Sequence, residues 1–345
     1  MIRFNNDYSR GAHPAVLEAL ARENKLAFPG YGMDEWCQRA ADLIRARAGT
    51  PSADVHFVSG GTQANIVVVS SALRPWESIV SADTGHIFNH EAGSIEHAGH
   101  KVLAVPSASG KLRAADVRRI VGAYYVDEEP DYLTTPRMVF ISMATELGTV
   151  YTLSEMEELR EVCDEFGLYL YVDGARMPYA IQALGGDVTL EDVGRLADIF
   201  YCGGTKCGAL FGEAIVVGND ALKPGLRRAM KQTGAVLAKG WLIGLQFATL
   251  FEGDLYFKLA ARANAQATLI ASACKDAGVP LLPENGTNQV FMGFRSDQIE
   301  ALSRSFALEP EGVQGDLEIV RACTSWSTSD ADVNELVEAI RHVGS

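Results

Sequence analysis

The sequence predicts an α/β protein: a large, mainly parallel sheet of seven strands sandwiched by helices, followed by a small α+β C-terminal domain. Three observations carry this. Short apolar runs alternate with helical patterns from about residue 55 to 217; one run ends in an acid and the next leads through a glycine turn to a lysine; and the pattern changes after about Lys223. Strands alternating with helices imply a mainly parallel sheet covered on both faces, with ligands beyond the carboxyl ends of its strands.

Val55-His56-Phe57-Val58 reads as the first strand, and Gly60-Gly61-Thr62-Gln63-Ala64-Asn65 opens the helix after it. Further strands are expected over residues 78–80, 101–105, 138–142, 168–172, 199–201 and 214–217. Ser154-Glu155-Met156-Glu157 reads as a capping box opening an amphipathic helix. A long helical stretch covers roughly 237–274, interrupted near Gly253. Then come Asn288-Gln289-Val290-Phe291-Met292-Gly293-Phe294, a helix from about Asp297, Leu317-Glu318-Ile319-Val320-Arg321 and a last helix from Asp330. This succession predicts a small domain with an antiparallel sheet. The expected division is a segment 1–15 that joins the site, a large cofactor-binding domain 16–245 and a small domain 246–345.

The chain has 345 residues, 48% hydrophobic and 21% charged, enough for two domains with sizeable cores. Its formal charge of −14 argues against nucleic acid or an acidic membrane surface as partner, but not against a small anionic ligand. The N-terminus Met1-Ile2-Arg3-Phe4-Asn5-Asn6-Asp7 has no apolar signal core, and no run is long enough to span a bilayer. The six cysteines form no C-x-x-C pair, so free thiols in a reducing cytoplasm are expected rather than a zinc cluster or disulfide framework.

The chemistry concentrates at three places. Tyr169-Leu170-Tyr171-Val172-Asp173-Gly174-Ala175-Arg176 ends a strand in an acid, and Ile199-Phe200-Tyr201-Cys202-Gly203-Gly204-Thr205-Lys206 follows the next strand with a lysine. That order suits a pyridoxal-phosphate enzyme: the lysine forms a Schiff base with the aldehyde and the acid keeps the pyridine nitrogen protonated. Gly60-Gly61-Thr62-Gln63 sits between a strand and a helix, where free N–H groups suit a phosphate. Each has a plainer reading: Asp173 capping a turn, Lys206 on the surface, and ordinary helix-cap chemistry at Gly60. The three in this order on alternating elements favour the cofactor.

These residues, with Phe4-Asn5-Asn6-Asp7-Tyr8-Ser9, Gly30-Tyr31-Gly32, His86 with Glu91-Ala92-Gly93, and Ile319-Val320-Arg321, resemble the threonine aldolase branch of the β-eliminating lyases. These are pyridoxal-phosphate enzymes of fold type I, with the aspartate aminotransferase fold. The resemblance runs from Asn5 to at least Arg321. It implies that Lys206 bonds the cofactor, Asp173 pairs with the pyridinium and His86 stacks on the ring. Gly61, Thr62 and Gln63 would cradle the phosphate. Arg176 and Arg321 would hold the substrate carboxylate, with Asn6 where the family usually has a serine. Arg176 also counts among the cofactor-binding residues. Tyr31 would reach a neighbouring subunit's site, and Lys231 or Lys239 would meet the phosphate across an interface. Where many relatives carry a histidine after the fourth strand, this chain has Ala144-Thr145-Glu146-Leu147-Gly148. Glu146 then serves as base for the β-hydroxyl, or changes the preferred side chain or β-configuration.

The implied activity is Cα–Cβ cleavage of a β-hydroxy-α-amino acid, of L-threonine or L-allo-threonine type, to glycine and an aldehyde. A cytoplasmic homodimer or homotetramer with interfacial sites is expected. Racemisation, transamination or β-elimination would use the same Lys206 and Asp173. A metal-dependent hydrolase built on His86, His90, His97 and His100 is the distant alternative; no metal is expected, because H-E-x-x-H is absent.

Overall fold

The computed structural model describes residues 1–183 and 185–344. Seven strands form the large sheet: β1 (Asp54–Val58), β2 (Glu77–Ala82), β3 (Lys101–Val105), β4 (Thr135–Ser142), β5 (Tyr169–Asp173), β6 (Ile199–Gly203) and β7 (Glu213–Val217). Their order across the sheet is β1-β7-β6-β5-β4-β2-β3. Only β7 runs against its neighbours, β1 and β6. The other pairs are parallel. Helices cover both faces, so β6 and β7 are buried throughout, which is why they read as unbroken apolar runs. The reversal of β7 sets its first residue, Glu213, opposite Gly203 at the carboxyl end of β6.

The helix after β4 spans Leu153–Phe166 and starts earlier than the sequence suggested. Its capping box is Thr152 with Glu155: the Thr152 side chain accepts from Glu155 N, and the Glu155 side chain accepts from Thr152 N. Two S/T-x-x-E frames overlap here. The earlier one wins because residues 153 and 154 are already helical, and Glu155 is also held by Lys111 Nζ at 2.6 Å.

The long helical stretch divides into Trp241–Phe251 and Leu255–Asp276, with Gly253 at φ +65° between them. The first half of the longer helix, through Ala263, packs into the core of the large sheet; its second half, from Ala267, packs into a separate core. That core lies beneath a three-stranded antiparallel sheet of β8 (Gln289–Phe294), β9 (Glu309–Gln314) and β10 (Leu317–Cys323), in the order β9-β10-β8. The helix Asp330–Gly344 closes it. Ile2–Arg3 pairs in parallel with Phe306–Ala307, and Phe4 is buried in this second core. The N-terminal segment is therefore anchored on the small sheet before it reaches Asp7. No helix among the described residues is long and apolar enough to cross a membrane.

Candidate active site

Asp173 ends β5, and Lys206 follows the turn that leaves the adjacent β6. Two glycines let these loops meet. A Cβ on Gly174 would lie 1.8 Å from Tyr201 O, and one on Gly203 would lie 2.4 Å from Ala175 O. Gly203 N donates to Gly174 O at 2.9 Å, tying the loops together.

Glu213 supports the lysine turn from below. One of its oxygens accepts from Gly204 N at 2.9 Å and the other from Thr205 Oγ1 at 2.8 Å. Burial pushes its carboxyl up to about 8, against the pull of those two bonds and of Lys206. Between the usual carboxylate range and that value, the folded chain holds a proton that the unfolded chain has lost. The stabilisation is full at low pH and is lost as pH rises through this window. Glu213→Gln is expected to remove that slope, a difference on the order of 1–3 kcal/mol between about pH 5 and about pH 8.5. Thermal unfolding of both proteins at the two pH values checks it; equal slopes would contradict it.

Asp173 is 4% exposed. Its Oδ1 accepts from Tyr201 Oη at 2.5 Å and from Ala175 N at 3.0 Å, and its Oδ2 accepts from Asn65 Nδ2 at 3.2 Å. All three donors are neutral. Asn65 is itself held by Tyr171 Oη at 2.6 Å and bridges to Glu91 Oε1 at 2.7 Å. Glu91 Oε1 also meets His86 Nδ1 at 2.8 Å, and Ser94 Oγ donates to Glu91 Oε2 at 2.6 Å. Burial opposes the charge on His86, yet the Glu91 bond and the nearby Asp173 outweigh it and raise the imidazole above its usual value. Glu146 Oε1 accepts from the His86 backbone N at 2.9 Å and from Ser142 Oγ at 2.8 Å. Burial raises the Glu146 carboxyl, with Asp173 adding to the shift and the Ser142 bond opposing it.

Lys206 is half-buried. Burial and the Arg176 charge lower its ammonium below the usual lysine value, although Asp7, Asp173 and Glu213 pull the other way. Arg176 grips Asp7 with two bonds, Nε to Oδ2 at 2.7 Å and Nη2 to Oδ1 at 3.0 Å, across 169 residues of chain. Asn288 Nδ2 donates to the same carboxylate at 2.9 Å. Desolvation works against the Asp7 charge, but Arg176 and Lys206 hold its carboxyl below the usual range. Arg321 on β10 meets Gln289 Oε1 at 3.4 Å and Glu311 Oε1 at 3.1 Å.

Lys206, Asp173, His86, Glu146 and Arg176 thus form one electrostatically coupled group. Gly61, Thr62 and Gln63 form the first turn of the helix Gly61–Ala72, whose N-cap Gly60 has no side-chain cap. A Cβ on Gly61 would lie 3.0 Å from Tyr201 Oη, so this turn abuts the Asp173 cluster. Gln63 folds back so that its Oε1 accepts from Ser59 N and Oγ. Asn6 Oδ1 is taken by Tyr8 N and Ser9 Oγ within its own turn. Tyr31, 50% exposed, lies elsewhere with Lys231, whose Nζ is 5.1 Å from its ring centroid. The two line an exposed cleft with Lys223, Arg227 and Arg228 and without Lys206, Asp173 or Arg321. His100 Nδ1 turns to Glu77 O, and among the described residues no group of three or more His, Cys, Asp or Glu could hold a metal ion.

Sequence reasoning missed Asp7, Asn65, Glu91, Tyr201, Glu213 and Asn288. Asp7, Asn65 and Glu91 lie inside motifs singled out above, so their polarity beside a buried run was the available signal. Tyr201 and Asn288 also lie in stretches quoted above, but their partners Asp173 and Asp7 are 28 and 281 residues away; Glu213 opens a strand that read only as an apolar run.

The residues fit pyridoxal phosphate. A buried carboxylate whose donors are all neutral awaits a cationic N–H, an amine of lowered basicity suits the aldehyde, and an uncapped helix start suits the phosphate. The family model for β-eliminating lyases matches residues 14–297. A low specificity L-threonine aldolase of a Pseudomonas species is 32% identical over 99% of this chain and 98% of that protein. The threonine aldolase of Leishmania major is 42% identical, with a TM-score of 0.97 over 100% of both chains. An aspartate aminotransferase from Thermus thermophilus, 16% identical with a TM-score of 0.74 over 99% of this chain and 91% of that one, shares the fold. The chain belongs to the β-eliminating lyase family of pyridoxal-phosphate-dependent enzymes.

Proposed function

We propose that the chain cleaves the Cα–Cβ bond of a β-hydroxy-α-amino acid of L-threonine or L-allo-threonine type, releasing glycine and an aldehyde. The observation that carries this is the coupling of Lys206 with Asp173 at the carboxyl ends of adjacent parallel strands, in a chain whose full-length relatives are threonine aldolases.

When bound, pyridoxal phosphate supplies an electron sink for the pair released as Cα–Cβ breaks. Asp173 would keep a ring nitrogen protonated, with Tyr201 and Asn65 fixing its carboxylate. Lys206 holds the cofactor and exchanges protons through Nζ. Gly61, Thr62 and Gln63 offer backbone N–H groups to the phosphate. Arg321 fixes the substrate carboxylate, which aligns the bond to be broken. Arg176, gripped by Asp7, would offer a fixed positive charge to the cofactor and the substrate carboxylate. His86, its ring braced by Glu91, would stack on the cofactor.

The β-hydroxyl proton passes to Glu146, directly or through a water. As base, Glu146 must be ionised, and its raised carboxyl moves the acidic limb of the pH–rate profile above the usual carboxylate range. Glu146→Gln is expected to lower kcat/KM by about 100-fold and to erase that limb. If the limb survives there and disappears in His86→Asn, the base is His86 and Glu146 only anchors its backbone.

The protein works as a homo-oligomer in which Tyr31 and Lys231 serve a neighbouring copy's site. Their joint exposure in a cleft apart from Lys206 supports this, and a fully active monomer in sedimentation would refute it. The activity itself is tested by aldehyde release from L-threonine with pyridoxal phosphate added. Acetaldehyde with equimolar glycine is expected. Keto acid, ammonia or inverted amino acid instead would transfer the assignment to another reaction at the same Lys206.

A further inference from the structure

Arg321 already has a carboxylate beside it. β9 and β10 form a hairpin in which Glu309 pairs with Arg321 and Pro310 with Val320, but the next pair is Gly312 with Ile319. Glu311 is the extra residue of a bulge, and Gly312 beyond it takes φ +111°. A bulge re-aims a side chain that regular pairing would send elsewhere. Here it brings Glu311 Oε1 to 3.1 Å from Arg321 Nη1, with side chains 28% and 17% exposed.

The grip is incomplete. Nη1 is shared between Glu311 and a long bond to Gln289, while Arg321 Nε is buried with no hydrogen-bond partner. Guanidinium binds carboxylate best through two parallel N–H bonds, as Arg176 does with Asp7. A carboxylate placed along the Nε edge can satisfy more of this fork than Glu311 does. Desolvation raises the Glu311 carboxyl and Glu309 adds to that, while Arg321 and Arg176 draw it down without overcoming it. The pair therefore yields readily.

We propose that Glu311 is a resident carboxylate on Arg321 that the substrate's own carboxylate displaces, so that the bulged hairpin sets substrate affinity. This rests on Arg321 as the carboxylate holder. The exchange forms and breaks only ion pairs: the substrate takes the guanidinium and Glu311 turns to solvent on the edge strand.

Glycine is titrated calorimetrically into the holoenzyme, its Glu311→Gln and Glu311→Ala variants, and Arg321→Gln. Both Glu311 variants are expected to bind glycine about three- to fivefold more tightly, with KM for L-threonine falling in step. Phenylglyoxal should also label Arg321 faster in them, read by peptide mass spectrometry. Weaker glycine binding in both variants would overturn the proposal and make Glu311 a brace for Arg321. Undiminished binding by Arg321→Gln would instead refute the carboxylate role of Arg321 itself.

Discussion

Replacing Lys206 by alanine is expected to lower aldehyde release from L-threonine by about 10³-fold or more, while pyridoxal phosphate still binds. The expectation follows from the amine that Lys206 sets among Arg176, Asp7 and Asp173. Desolvation and the Arg176 charge lower its basicity, so more of it is the neutral, nucleophilic form. Alanine removes Nζ but leaves Asp173, the Gly61 turn and the Asp7–Arg176 pair, all held by their own partners. Retention of cofactor should therefore be visible by equilibrium dialysis, with the absorbance of lysine-bound cofactor gone. Near-normal turnover would remove Lys206 from the mechanism.

Asp173→Asn is expected to reduce kcat by about 100-fold or more at nearly constant volume. The change removes the negative charge proposed above to keep the ring nitrogen protonated. It also sets an amide N–H₂ among groups that now all donate to the carboxylate: Tyr201 Oη, Ala175 N and Asn65 Nδ2. At least one of them must lose its acceptor, which costs further in a buried place. Steady-state aldehyde release and the cofactor dissociation constant check this together. An unchanged rate would take the electron-sink role away from Asp173.

Much of the fold was legible because local signals agreed. The seven runs of the large sheet announced themselves by apolar composition, and the order of strand, glycine turn and helix placed Gly60-Gly61-Thr62-Gln63 correctly at a helix start. The break at Gly253 was equally local. Reading Ser154 rather than Thr152 as the cap was a local error, since both frames satisfy the same motif. Composition did not show the reversal of β7, because a strand buried on both faces reads the same in either direction; the available signal was the short connection, residues 204–212, which leaves no room for a crossover.

The sequence by itself determined the fold class, the family, the cofactor and the position of Lys206 and Asp173 at the ends of adjacent strands, because these depend on residue type and order along neighbouring strands. The tertiary structure alone decided who restrains whom. It gave Asp7 to Arg176, Glu91 to the His86 ring, Glu213 to the lysine turn and Glu311 to Arg321. Asp7 and Arg176 lie 169 residues apart, whereas the other three pairings join residues within ten of each other and are decided by a turn, by the reversal of β7 and by a one-residue bulge. Coulomb attraction and hydrogen bonding act through space, so such partners are set by how the loops converge at the strand ends, which spacing along the chain does not encode.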